Sequence, residues 1–151
     1  MKKLILALTL IIMATRSLVA SEEKEVVATV NQLVAAFNKG DMEKVLALCT
    51  DEMCIIDEFP PYEWHGAGTC SKWLADYAAS AKKDGITEEI ITFAKPRHVE
   101  VTGDRAYVVV PADSTYKEKG KPMKQTGATW TASLQKVEAG WRVTGWAWAR
   151  H

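Results

Sequence analysis

The chain has 151 residues, 48% of them hydrophobic and 25% charged, with 19 basic and 19 acidic side chains. That length supplies one core and leaves no room for a second, and the even charge balance offers no electrostatic grip on phosphate backbones, so no nucleic-acid partner is expected. Three cysteines with no CxxC and no paired-histidine spacing predict no metal site.

Lys2 and Lys3 precede an apolar run from Leu4 to Ala14, and Leu18-Val19-Ala20 then offers small residues before Ser21. This is the pattern of a secretory signal peptide, with cleavage expected after Ala20. The apolar run falls short of the ~20 residues a bilayer span needs, and Arg16 interrupts its far end, so export and not anchoring is expected. Residues 21–151 then form one soluble domain, periplasmic or secreted, with no membrane contact in the mature form.

From Glu22 to Lys39 the apolar residues Val26, Val30, Leu33, Val34 and Phe37 recur at three- and four-residue steps, which predicts a helix ended by Gly40. Asp41 is placed to cap a second, short helix whose Val45, Leu46 and Leu48 point inward. A strand from Met53 to Glu58 follows. The Pro60-Pro61 pair continues neither a ladder nor a helix, so Phe59 to Gly68 is predicted as loop. Thr69 is placed to cap a third helix with the inner stripe Cys70, Trp73, Leu74, Tyr77, Ala78 and Ala81, and Lys82-Lys83 suit the negative end of its dipole.

Beyond Gly85 the period changes to two, and segments 88–101, 105–116, 123–137 and 141–149 read as an antiparallel meander. Pro96 marks a bulge or an edge position in the first of them. Helices in front and strands behind predict an α+β fold: three N-terminal helices packed on the concave face of a cone-shaped, curved antiparallel sheet. The cone between the layers is the natural place for a ligand. Cys49, Cys54 and Cys70 allow at most one internal disulfide, for which Cys54–Cys70 is preferred; three buried free thiols are the equal alternative.

The turn Phe37-Asn38-Lys39-Gly40-Asp41 with Leu46 and Leu48 behind it, the strand ending at Asp57 nine residues before Gly66, and the closing Gly140-Trp141-Arg142-Val143-Thr144-Gly145-Trp146 together resemble the nuclear transport factor 2-like superfamily, in particular its SnoaL-like and ketosteroid-isomerase-like members. In the ketosteroid isomerases the proton-shuttling aspartate lies nine residues ahead of that glycine, so the resemblance implies that Asp57 faces the cone as a general base. The family's oxyanion donors do not carry over: Leu33 stands at the tyrosine position and Thr129 near that of the protonated acid, which argues against steroid isomerisation. Relatives often pair through their outer sheet faces, which implies a homodimer.

The residues themselves give the same centre. Asp57 shares strand parity with Ile55, so its carboxylate points with an apolar side chain, as on a pocket wall. His65, near Asp57 in sequence, is the candidate acid–base partner, against the reading of an ordinary hydrogen-bonded loop histidine. Tyr62, Trp64, Trp73 and Tyr77 are the candidate aromatic walls, with Tyr107 and Thr129 on the far side. If Thr129 faces the cone, Trp130 faces outward, and the outer face then presents exposed tryptophan to a partner.

Three functions are open at this point: an exported binder of a small apolar or aromatic molecule, a cofactor-independent isomerase, dehydratase or hydrolase using Asp57 as base, and a protein-interaction module acting through the outer sheet face. A void below the ~300 Å³ typical of ligand sites would favour the last.

Overall fold

In the computed structural model the backbone of residues 2–150 and the side chains of residues 20–150 are described. The leader expected over residues 1–20 lies, but for Ala20, outside the residues described in full. Helix α1 spans Lys2–Lys39 and α2 spans Met42–Ala47; the strands β1 (Cys49–Ile56) and β2 (Glu63–Ala67) come next, then α3 (Thr69–Asp84). Five further strands complete the chain: β3 (Ile86–Phe93), β4 (His98–Thr102), β5 (Arg105–Glu118), β6 (Lys121–Val137) and β7 (Gly140–Ala149). Among the described residues no helix is long and apolar enough to cross a membrane.

The stripe on α1 is buried as its spacing requires, with Val26 and Val30 fully enclosed. Gly40 ends the helix in the left-handed region at φ 71°, and Asp41 Oδ1 accepts from the Lys44 amide at 3.1 Å to start α2. Asn38 fixes this corner to the sheet: its Nδ2 donates to the Ile91 carbonyl at 2.7 Å and its Oδ1 accepts from the Ile91 amide at 2.9 Å. The Asn-Lys-Gly-Asp turn is therefore a clamp between α1 and β3.

The sheet runs β2-β1-β7-β6-β5-β3, with β4 also on β5, and it is curved, open and mixed. The antiparallel expectation holds for every pair but one, because β1 lies parallel to β7. Gly145 permits that pairing: a Cβ there would stand 2.6 Å from the Cys54 carbonyl oxygen. The segment predicted as loop from Phe59 to Gly68 contains β2, which pairs with β1 from Ile56↔Glu63 to Glu52↔Ala67. The two prolines confine the turn to the residues ahead of Glu63, and a ladder resumes as soon as amide donors return.

The segment predicted as one strand over 88–101 is two. Both pair with the long β5, β3 with its second half and β4 with its first. Between them Ala94 donates to the Pro111 carbonyl at 3.0 Å and Arg97 to that of Val109 at 2.9 Å, while Pro96, which has no amide hydrogen, occupies the jog. Thr69 is the first residue of α3 and not its cap; Gly68 precedes it at φ 68°, and the buried Thr69 hydroxyl donates to the Gly66 carbonyl at 2.7 Å.

The core lies between helices and sheet, where Ile55, Val108, Val110, Leu134 and Val143 are at most 1% exposed. On β6 the inward set is Ala128, Trp130, Ala132 and Leu134, which reverses the expected parity of Thr129 and Trp130. Turning Thr129 inward would put four apolar side chains in water, and that decides the register. Trp130 is only 4% exposed, so the outer face does not carry the tryptophan predicted for it, and Trp146 is buried as well.

Candidate ligand pocket

A cavity of about 270 Å³ lies between α1, α3 and the inner face of the sheet. Helix α1 contributes Leu33 and Phe37, and α3 contributes Trp73, Tyr77 and Ser80. The chain just after β1 supplies Asp57, Glu58 and Phe59, β3 supplies Glu89, and β6 and β7 supply Gln125, Trp130, Trp146 and Trp148.

The wall is a continuous aromatic surface. Trp73 stacks on Tyr77 with centroids 5.5 Å apart, and Phe37 meets the Tyr77 ring edge-on at 5.2 Å. Trp146 stands perpendicular to Trp73 at 5.1 Å and lies 6.3 Å from Trp130. Such contacts each contribute about 0.5–1.5 kcal/mol beyond area burial, so the rings hold one another in place as well as facing the void.

Asp57 sits in this wall, half-buried. Its Oδ2 accepts from the Trp73 indole Nε1 at 2.9 Å, and its Oδ1 accepts from the Glu58 amide at 2.7 Å. Burial nevertheless pushes its pKa up to about 6; the two hydrogen bonds oppose that rise, and the carboxylates of Glu58 and Glu89 add to it.

Glu89 is a second inward acid. Its Oε2 accepts from the Tyr77 hydroxyl. Burial raises its pKa above the usual carboxylate range, and burial together with the Glu89 charge raises that of the Tyr77 phenol. At the rim, Arg150 donates to both oxygens of Glu58, from Nε to Oε2 at 2.7 Å and from a terminal nitrogen to Oε1. Glu58 is thus an ion-paired part of the lining.

Of the residues singled out from sequence, Asp57, Trp73 and Tyr77 come together on the cavity, and the other five stand off it. His65 lies on β2 opposite Cys54 of β1, exposed on the outer face because its neighbour Trp64 takes the inward position, so it does not meet Asp57. Trp64 is buried behind the pocket, donating to Asp76 Oδ2 at 2.8 Å and bracing Phe59 at 5.0 Å. Tyr62 is 57% exposed; its part is played by backbone, with its amide donating to the Phe59 carbonyl at 2.9 Å and its carbonyl accepting from the Asp57 amide at 3.1 Å.

Tyr107 faces outward, 45% exposed and beside His98, because Ala106 and Val108 take the inner positions of β5. Thr129 lies on that outer face as well, opposite Pro111 and Ala149. The cysteine pairing also differs: Cys54 is exposed on the outer face, while Cys49 and Cys70 are buried with their sulfurs 2.8 Å apart.

Glu89, Phe59, Gln125 and the inward tryptophans were not anticipated. The parity of Glu89 with Ile91 and Phe93 was an available signal. Gln125 had none in the sequence; its Nε2 is buried and without a hydrogen-bond partner among the described residues.

The model of the SnoaL-like domain matches residues 26–146. The chain belongs to this family. Solved structures agree with it in shape at low identity. A nuclear transport factor 2-like superfamily protein from Salmonella enterica is 15% identical with a TM-score of 0.72, over 87% of this chain and 92% of that one. A ketosteroid isomerase-like protein from Erwinia carotovora is 20% identical with a TM-score of 0.66, over 85% and 95%. A candidate dehydratase of the NTF2-like family from Streptomyces avermitilis is 17% identical with a TM-score of 0.69, over 87% and 97%. No functionally curated protein matches the sequence.

Proposed function

We propose that this SnoaL-like protein is exported and binds a small, largely apolar or aromatic molecule in the cone between helices and sheet, with Asp57 fixing the orientation of the ligand. The observation that carries the reading is the Asp57 carboxylate held by the Trp73 indole at 2.9 Å in the wall of an aromatic cavity. At about 270 Å³ the cavity falls just below the ~300 Å³ typical of ligand sites, which by volume alone favours the interaction-module reading and limits any occupant to a small molecule. The interaction-module reading predicts a hollow closed by its own side chains; against it stands the unpartnered Gln125 amide nitrogen on the lining.

A second reading, acid–base catalysis without a cofactor, is favoured by one observation: the pKa of Asp57 near 6 suits a proton acceptor at neutral pH. In that reading Glu89 or Tyr77 takes the acid role first given to His65. Export rests on residues 1–20 alone. Homodimerisation through the outer sheet face keeps exposed Ile56 and Tyr107 as support in place of the tryptophans.

Native mass spectrometry of the protein from its own source reads both points. A retained small molecule and a doubled mass are expected, and Asp57→Asn should weaken retention. A bare monomer at every concentration would defeat the binding and dimer readings together. Complete loss of substrate turnover in Asp57→Asn would establish catalysis instead.

A further inference from the structure

We propose that the ligand is an organic cation, an amine or quaternary ammonium carried on a small apolar body. This rests on the binding reading above and names the class of its ligand.

Charge on the lining is one-sided. Asp57, Glu58, Asp84 and Glu89 all border the cavity, and the basic residue among them is Arg150. Arg150 is committed to Glu58 at the rim by hydrogen bonds to both of its oxygens. The groups touching the inner pair are neutral dipoles: the Trp73 indole and the Glu58 amide on Asp57, and the Tyr77 hydroxyl on Glu89. Among the described residues no lysine or arginine lies within ion-pair distance of either carboxylate.

A neutral apolar ligand would displace the remaining water from both acids and return nothing to them. An anion would add repulsion. A cation supplies the missing counter-charge, and the burial that now raises both acid pKa values then strengthens its attraction to them.

The rest of the wall fits the same ligand. Ring faces carry negative electrostatic potential and attract cations, most strongly when the cation is desolvated and when the ring is tryptophan. Here Trp73, Tyr77, Phe37, Trp146 and Trp130 surround the void that the two acids enter. The buried, unpartnered Gln125 Nε2 on this lining is a separate sign that a ligand completes the site, and it offers a donor to an oxygen on the ligand body. An aromatic box with acids and no free base is the composition that recognises ammonium groups.

The test compares benzyltrimethylammonium with neopentylbenzene, which has the same shape with carbon in place of the charged nitrogen. Binding to the full domain is followed by tryptophan fluorescence, for the wild type, Asp57→Asn and Glu89→Gln, with thermal melts confirming that each variant is folded. The cation is expected to bind about tenfold more tightly than its carbon counterpart. Each substitution should weaken the cation about fivefold or more and leave the neutral probe within about twofold. Equal binding of the two probes, or equal losses in the variants, overturns the cation assignment and leaves the pocket reading standing. If the cation does not bind at millimolar concentration and the hydrocarbon does not bind up to its solubility limit, the pocket reading fails and this inference fails with it.

Discussion

The Trp73 indole reaches from α3 to the end of β1 and donates to Asp57 Oδ2 at 2.9 Å. One hydrogen bond thereby joins a helix to the strand edge on which the pocket acid sits, and orients the carboxylate toward the cavity. Trp73→Phe keeps most of the ring contacts and removes the donor. The variant should lose about 1–3 kcal/mol of stability in urea. Since that bond holds the pKa of Asp57 down, titration of the carboxyl by NMR should move upward from about 6. An unchanged titration would mean that the bond does not form in solution.

Asp57 also sets a pH dependence. Below its ordinary value of 3.8 the carboxyl is protonated in both folded and unfolded chains. Between 3.8 and about 6 the folded chain holds the proton and the unfolded chain does not, so stability falls as pH rises through that window and stays at the lower level above it. Asp57→Asn removes this contribution. Relative to the wild type, the variant should gain on the order of 3 kcal/mol at most between pH 3.5 and pH 7.5, read from chemical denaturation at each pH. A difference that is flat across that range would contradict the buried placement of Asp57.

Cys49 and Cys70, at the starts of β1 and α3, are buried with sulfurs 2.8 Å apart, whereas Cys54 stands exposed on the other face of β1. Refolding with oxidised glutathione should therefore join Cys49 to Cys70. The two thiols give up two protons and two electrons, and the glutathione disulfide is reduced to two thiols. Peptide mapping after alkylation should find Cys54 as the labelled residue. Labelling of all three, or a Cys54–Cys70 link, would be the contrary result.

Gly145 lies where β1 and β7 run parallel, and its missing side chain leaves room for the Cys54 carbonyl. Gly145→Ala forces a methyl group to within 2.6 Å of that oxygen and should cost about 3 kcal/mol, seen as a lower melting temperature. An unaltered melt would show that the pairing yields easily.

Much of this was legible in the chain. The burial of Val26, Val30 and Leu33 follows from helical spacing, and the inward turn of Asp57 follows from its parity with buried Ile55. What escaped was non-local or locally masked. The parallel pairing of β1 with β7 joins segments far apart in sequence. The Glu58–Arg150 pair spans 92 residues. Glu89 is readable by counting back from Ile91 and Phe93 but not by counting forward from Ile86, because the register of β3 shifts at the left-handed Glu88, φ 55°. On β6 an expectation counted from the family placed Thr129 inward, although the local pattern of Ala128, Trp130, Ala132 and Leu134 pointed the other way. His65 failed because Pro60-Pro61 concealed a strand, and its alternation sends the imidazole outward.

The claim beneath all of this is that the space between helices and sheet is an occupied ligand site. Ser80 of α3 borders it, and Ser80→Phe would fill it with the chain's own atoms. Native mass spectrometry of the two proteins isolated side by side should show a small bound mass on the wild type and none on the folded variant. A wild type without added mass, or a variant that keeps it, would contradict the account.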